Sequence, residues 1–173
     1  YNKALELEPN HPEAHNNLGN ALQEQDNINA AIDYYNKALS LKPNFPEAHN
    51  NLGNALRKQG ELNAAIACYN KALELEPNDP ETHYNLGNAL KGQGELTAAI
   101  DAYNKALSLN PNYPEAHYNL GIAHKEKDNL NAAIAAYKQA IQLKPNYPAA
   151  HYNLSAMLLL SGDYKSGWEE YEH

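Results

Sequence analysis

Asparagine is the residue type through which this chain could do chemistry. Asn17, Asn51, Asn85, Asn119 and Asn153 stand 34 residues apart, and Asn20, Asn54 and Asn88 follow the first three at a constant offset. A side-chain amide offers two donor hydrogens and an acceptor oxygen. A row of amides at fixed spacing can bracket the backbone of an extended peptide with little regard to its side chains. That is recognition chemistry rather than bond-making chemistry. The same recurrence would arise if these were water-facing positions in duplicated units, and the sequence leaves both readings open.

The elements that must position this row are punctuated by proline. Pro-Asn-x-Pro recurs from Pro9, Pro43, Pro77, Pro111 and Pro145, at the same 34-residue interval. A period in this range marks a solenoid built from one repeated supersecondary unit. Each unit reads as two helices. The first opens with proline, whose missing N–H needs no partner in a first helical turn. Counting that proline as position one, the stripe of the second unit is His49, Leu52, Gly53, Ala55 and Leu56. A break follows at Gln59-Gly60-Glu61, and at Gln25-Asp26-Asn27 in the unit before. The second helix then shows Leu62, Ala65, Ile66, Tyr69, Ala72 and Leu73, a helical stripe that stops at the next proline.

The spacing therefore predicts an all-α chain, a single array over residues 1–173. Full units are 12–45, 46–79, 80–113 and 114–147; residues 1–11 end a preceding unit and 148–173 form an incomplete last one. At about 100° per residue, position six lies opposite the packing stripe and position nine lies near it. The asparagines are expected to line one face of the stacked first helices.

Composition narrows the function classes. A net charge of −8 and a pI near 5.4 argue against general affinity for nucleic acid or anionic membranes. One cysteine, Cys68, excludes an intrachain disulfide framework and a cysteine-clustered zinc site. No apolar run approaches the roughly 20 residues of a membrane span. No cofactor is implied, and a cytoplasmic location is the expectation. Both ends look cut from something longer. Leu5 at the start, and Leu158 and Trp168 at the end, are expected to expose apolar surface that favours end-to-end self-association.

The stripe resembles the tetratricopeptide repeat family along the whole chain. The family's small residue at position eight is matched by Gly19, Gly53, Gly87 and Gly121, with Ser155 in the last unit. Its alanine at position twenty is matched by Ala31, Ala65, Ala99 and Ala133, and by Gly167 last. Tyr35, Tyr69, Tyr103, Tyr137 and Tyr171 match its aromatic; Ala38, Ala72, Ala106 and Ala140 match its later alanine. Histidine departs from the usual aromatic at position four. The resemblance implies an α-solenoid of helix pairs wound as a right-handed superhelix, with first helices on the concave side. It also implies a protein or peptide ligand in that groove.

Within the family, first helices of the type Asn51-Leu52-Gly53-Asn54 resemble the repeat arm of O-linked N-acetylglucosamine transferases, which uses an asparagine ladder for protein substrates. The match fades at Asn119-Leu120-Gly121-Ile122 and Asn153-Leu154-Ser155-Ala156. The family's carboxylate clamp for chaperone tails is missing, because position two holds Glu13, Glu47, Glu81 and Glu115. Tyr84, Tyr118 and Tyr152 stand at the margin of the expected groove and could pack on ligand side chains or between helices. Arg57, Lys91 and Lys125 form a basic row or a plain solvated surface. His15, His49, His83, His117 and His151 share position four in separate units, which suits interhelical packing better than metal binding. The tail from Ser161 to Tyr171 resembles the closing repeat of bacterial tetratricopeptide proteins that precedes a glycosyltransferase-like or other domain; an ordinary terminal repeat capped by Trp168 is the alternative.

The combined reading is a non-catalytic protein- or peptide-binding scaffold. The alternatives are a substrate-recruiting arm of a larger glycosyltransferase and a self-associating structural module.

Overall fold

The computed structural model describes residues 9–172, and the expected terminal half helix Tyr1–Glu8, with Leu5, lies outside them. Ten helices follow: α1 (Pro12–Glu24), α2 (Ile28–Leu41), α3 (Pro46–Lys58), α4 (Leu62–Leu75), α5 (Pro80–Gly92), α6 (Leu96–Leu109), α7 (Pro114–Glu126), α8 (Leu130–Leu143), α9 (Pro148–Ser161) and α10 (Tyr164–Tyr171). There is no strand among the described residues. Every odd-numbered helix starts on the proline that the 34-residue register marks. Side chains supply the extra caps: His11 Nδ1 accepts from the Ala14 N–H at 3.2 Å, and Asp163 Oδ1 from the Ser166 N–H at 3.2 Å.

One turn closes each helix pair. The second residue past the break sends its N–H back across the last turn of the first helix: Asn27 to Leu22, Glu61 to Leu56, Glu95 to Leu90, Asn129 to His124, Asp163 to Leu158, at 2.9–3.0 Å. The residue before it must be left-handed for this bond to form. Gly60, Gly94 and Gly162 take that conformation at φ 81–89°. Asp26 (φ 60°) and Asp128 (φ 57°) take it too, which is why the first unit breaks without a glycine.

The chain divides into two compact units, Tyr1–Ala89 and Leu90–His173. In the first, α1 packs on α2, α2 on α3 and α3 on α4. Its cores join Ala31, Tyr35, Leu52 and Ala55, then Ala65, Tyr69 and Ala89. In the second, α6 packs on α7, α7 on α8, α8 on α9 and α9 on α10, around a core of Ala133, Tyr137, Leu154, Met157 and Leu158.

The glycine at position eight is a seat for a tyrosine ring. A Cβ on Gly19 would lie 2.5 Å from Tyr35 Cε1; on Gly53, 2.6 Å from Tyr69; on Gly121, 2.6 Å from Tyr137. These tyrosines are completely buried. In the last unit Ser155 fills the seat and is buried, while Tyr171 lies 58% exposed. Gly167 replaces the usual alanine because Leu159 Cδ2 would stand 2.7 Å from its Cβ. Leu158, expected at the exposed end, is instead a core residue beside Tyr137; the exposed apolar groups there are Leu160, Tyr164 and Trp168. One register position decides this, since Leu158 faces α8 and Leu160 does not.

Asp26→Gly and Asp128→Gly test the turn geometry. Each relieves a left-handed side chain and is expected to raise unfolding free energy by up to about 1 kcal/mol in urea titrations.

Candidate functional site

The expected row of asparagines exists, but much of its hydrogen bonding is spent inside the protein. In the first unit, Asn51 Nδ2 donates to Asn16 Oδ1 at 3.1 Å, and Asn85 Nδ2 donates to Asn50 Oδ1 at 3.2 Å. Asn16 Nδ2 in turn donates to Glu47 Oε1 at 2.8 Å. In the second unit, Asn153 Nδ2 donates to the Tyr118 hydroxyl at 3.1 Å and to the Ala149 carbonyl at 2.9 Å. The rule is one bond from position six of a first helix to position five of the first helix before it. Adjacent first helices are thereby stitched by amides.

Burial follows from the stitching. Asn16, Asn50 and Asn85 are 1%, 8% and 7% exposed, so the simple picture of a water-facing bank is corrected at these positions. A buried amide must be paired. Asn17, Asn51, Asn119 and Asn153 remain half-buried, with one edge toward solvent.

The two units treat the amide oxygens differently. In the second, Lys91 Nζ donates to Asn119 Oδ1 at 3.0 Å and Lys125 Nζ to Asn153 Oδ1 at 3.2 Å. Asn119 Nδ2 also bonds the Glu115 carbonyl at 3.2 Å. Lys91 is not part of a plain solvated surface: burial pushes its pKa down, opposed by the Glu126 charge. In the first unit the residue at the matching place before Asn51 is Gln23, whose Oε1 is buried without a partner. The Asn51 carbonyl oxygen therefore carries no ammonium cap.

Position nine belongs to the core tyrosines. The Tyr35 hydroxyl donates to Asn20 Oδ1 and the Tyr69 hydroxyl to Asn54 Oδ1, both at 2.8 Å. Burial pushes the Tyr35 pKa up to about 12. In the fourth repeat Ile122 replaces the asparagine, and the Tyr137 hydroxyl is buried with no partner, its pKa also raised by burial. Asn88 is half-buried on α5.

The three candidate aromatics differ. Tyr84 is half-buried. Tyr118 packs between helices, its ring centroid 5.9 Å from Tyr137 and 4.9 Å from Tyr147. Tyr152 is 62% exposed and offers its face to a ligand.

Histidine at position four has a role that the packing argument missed. Nε2 of His15, His49, His83, His117 and His151 lies 2.8–3.1 Å from the carbonyl of Pro9, Pro43, Pro77, Pro111 and Pro145 respectively. A carbonyl only accepts, so each Nε2 carries the proton and clasps the preceding loop. The constant six-residue spacing from proline to histidine was the available signal. Glu170 Oε2 also lies 2.5 Å from His151 Nδ1, tying α10 to α9. Among the described residues no group of three or more potential ligands could hold a metal ion, and no helix is long and apolar enough to cross a membrane. Cys68 is half-buried, and burial raises its thiol pKa.

Family models described as tetratricopeptide repeat match residues 12–45, 34–67 and 114–147, and one described as TPR repeat matches 53–94 and 90–128. Together they run unbroken over most of the chain. The chain belongs to the tetratricopeptide repeat family. Solved tetratricopeptide structures share its fold. A crystal structure of MamA, 29% identical, covers 89% of this chain and 90% of its own, with a TM-score of 0.84. MamA from Desulfovibrio magneticus RS-1 is 24% identical, with 93% and 91% covered and a TM-score of 0.85. YrrB, described as a TPR protein with an unusual peptide-binding site, is 22% identical, with 98% and 87% covered and a TM-score of 0.80. No match is found among curated protein sequences.

Paired substitutions separate the two tyrosine environments. Tyr35→Phe should lower stability by about 0.5–1.5 kcal/mol by removing the bond to Asn20. Tyr137→Phe should leave stability unchanged or raise it, because that hydroxyl is desolvated and unpaired. Urea unfolding of both variants checks the contrast.

Proposed function

We propose that the protein is a non-catalytic scaffold that binds an extended segment of a partner protein along its amide-bearing first helices. The observation that carries this reading is the half-buried asparagine row, braced from behind by position five and still turning polar edges outward. A braced amide has lost little freedom left to lose, so a ligand's backbone meets a preorganised donor and acceptor. Asn17, Asn51 and Asn85 form the contact row in the first unit, and Asn119 and Asn153 in the second. Asn20, Asn54 and Asn88 contribute what their amides do not commit to neighbouring side chains. Tyr84, Tyr118 and Tyr152 flank the row, with Tyr152 offering most surface. The reading of 1–173 as one array belongs to this proposal and rests on the unbroken 34-residue period. The uncapped Asn51 oxygen makes the first unit the stronger binding face, since lysines compete for the same acceptor in the second.

A second reading, association with another copy, is favoured by the exposure of Leu160 (73%), Tyr164 (66%) and Trp168 (58%). Trp168→Lys should then shift a concentration-dependent sedimentation profile to monomer; an unchanged profile would refute it.

The partner-binding reading is tested with peptides selected on the purified protein. Asn17→Ala, Asn51→Ala and Asn85→Ala together should weaken such a peptide by about ten-fold or more, at about 0.5–1.5 kcal/mol per hydrogen bond. The triple variant also loses two stitching bonds, so its thermal midpoint should fall. His49→Ala controls for that loss, because it releases a loop bond outside the amide row. Equal affinities of the triple variant and the parent protein would refute the proposal.

A further inference from the structure

A polar notch of about 280 Å³ opens in the first unit where α4 ends and α3 and α5 begin. Its walls carry Glu47, Glu76, Asp79 and Glu81, with Asn50 and Thr82 behind them. Asp79 is committed to capping α5: its carboxylate accepts from the Glu81 N–H at 3.2 Å, the Thr82 N–H at 3.1 Å and the Thr82 hydroxyl. No lysine or arginine among the described residues pairs with the other three glutamates.

The chain's own repeats show what this place accepts. In the first repeat Lys42 Nζ lies 2.8 Å from Glu13 Oε1 and 4.5 Å over the Phe45 ring. In the fourth, Lys144 Nζ lies 3.2 Å from Glu115 Oε1 and 4.8 Å over the Tyr147 ring. Glu47 is the register equivalent of Glu13 and Glu115. Glu76 stands where the lysine stands, and Asp79 where the aromatic stands. The second repeat has therefore kept the glutamate and exchanged the cation for two more carboxylates.

A second observation is independent of the carboxylates. Asn50 lines the notch and is only 8% exposed, with its carbonyl oxygen held by Asn85. By register its Nδ2 should donate to Glu81, as Asn16 donates to Glu47. That bond is not formed, and a buried amide edge is left unpaired at the notch. An unpaired donor of this kind is costly unless an acceptor arrives.

We propose that this notch receives a lysine or arginine residue of a partner protein, its cation between Glu47, Glu76 and Glu81 and its backbone carbonyl on Asn50. The incoming charge relieves the mutual repulsion of the carboxylates. Surface ion pairs contribute little affinity, so the notch sets the register of a basic residue rather than holding the partner alone. Asn50 links it to the amide row through Asn85. The proposal deepens the partner-binding reading by naming one partner residue class, yet the notch is testable without the row.

The test is an NMR titration of the full chain with Nα-acetyl-lysine-N-methylamide, against the norleucine analogue and calcium chloride. The lysine compound should give saturable shifts confined to the amides around Glu47–Asn50 and Glu76–Thr82, at a dissociation constant below about 100 mM. Norleucine should give none. Glu76→Lys restores the residue of the sister repeats and should weaken the lysine compound at least about ten-fold, with Glu76→Gln intermediate. Equal responses to norleucine, shifts with calcium alone, no saturation, or unchanged affinity in both Glu76 variants would each overturn the proposal. Failure of the asparagine row would leave these shifts intact, so the two readings fail separately.

Discussion

The architecture depends on a tyrosine ring pressed against bare backbone. Tyr35, Tyr69 and Tyr137 occupy space that a Cβ on Gly19, Gly53 or Gly121 would need. Only with that atom missing can two helices close around a ring that is fully buried. The buried ring then brings a hydroxyl with it, and the hydroxyl must find a partner or carry a desolvation cost. Asn20 and Asn54 answer that need from the next turn of the same first helix. Ile122 does not, which makes the fourth repeat the place where packing and polar satisfaction part company.

The second organising contact runs between units of the period rather than within them. Asparagine is a poor helix-interior residue, so its place inside five first helices costs helix propensity. The bonds from Asn51 to Asn16, Asn85 to Asn50 and Asn153 to Tyr118 offset that cost. They also fix register, since sliding one helix along its neighbour by a residue would unpair a buried amide. The row thus serves stacking first. Recognition, in the function proposed above, uses the polar edges that stacking leaves over, and the lysine caps on Asn119 and Asn153 reduce what is left in the second unit.

The helices and their starts were legible because local rules suffice for them. Proline at a first helical position, small residues at fixed offsets and a left-handed turn residue act within one unit. Asp26 is instructive: it fulfils at φ 60° the role that Gly60 fulfils at 83°, so the weaker sequence signal still marked a true turn. The amide pairs were not legible. Their partners lie 35 residues apart, and whether position six faces water or the neighbouring helix depends on how closely the first helices approach. Asn16 and Asn50 seemed marginal for the same reason and are among the most buried polar groups. The histidine clasp was nearer to hand, because proline and histidine keep a six-residue spacing in every unit. Leu158 was misplaced by a question of facing that the chain's end, departing from the repeat pattern, does not settle by periodicity.

The central claim is that one set of asparagines both stitches the repeats and contacts a partner. Side-chain amide NMR resonances of Asn51 and Asn153 report on it directly when a selected peptide is added. The account expects the Asn51 NH2 signals to shift strongly, because its oxygen is open to a ligand donor, and those of Asn153 to shift less, because Lys125, Tyr118 and Ala149 already hold its amide. A peptide that binds while leaving both pairs of signals unmoved would contradict it.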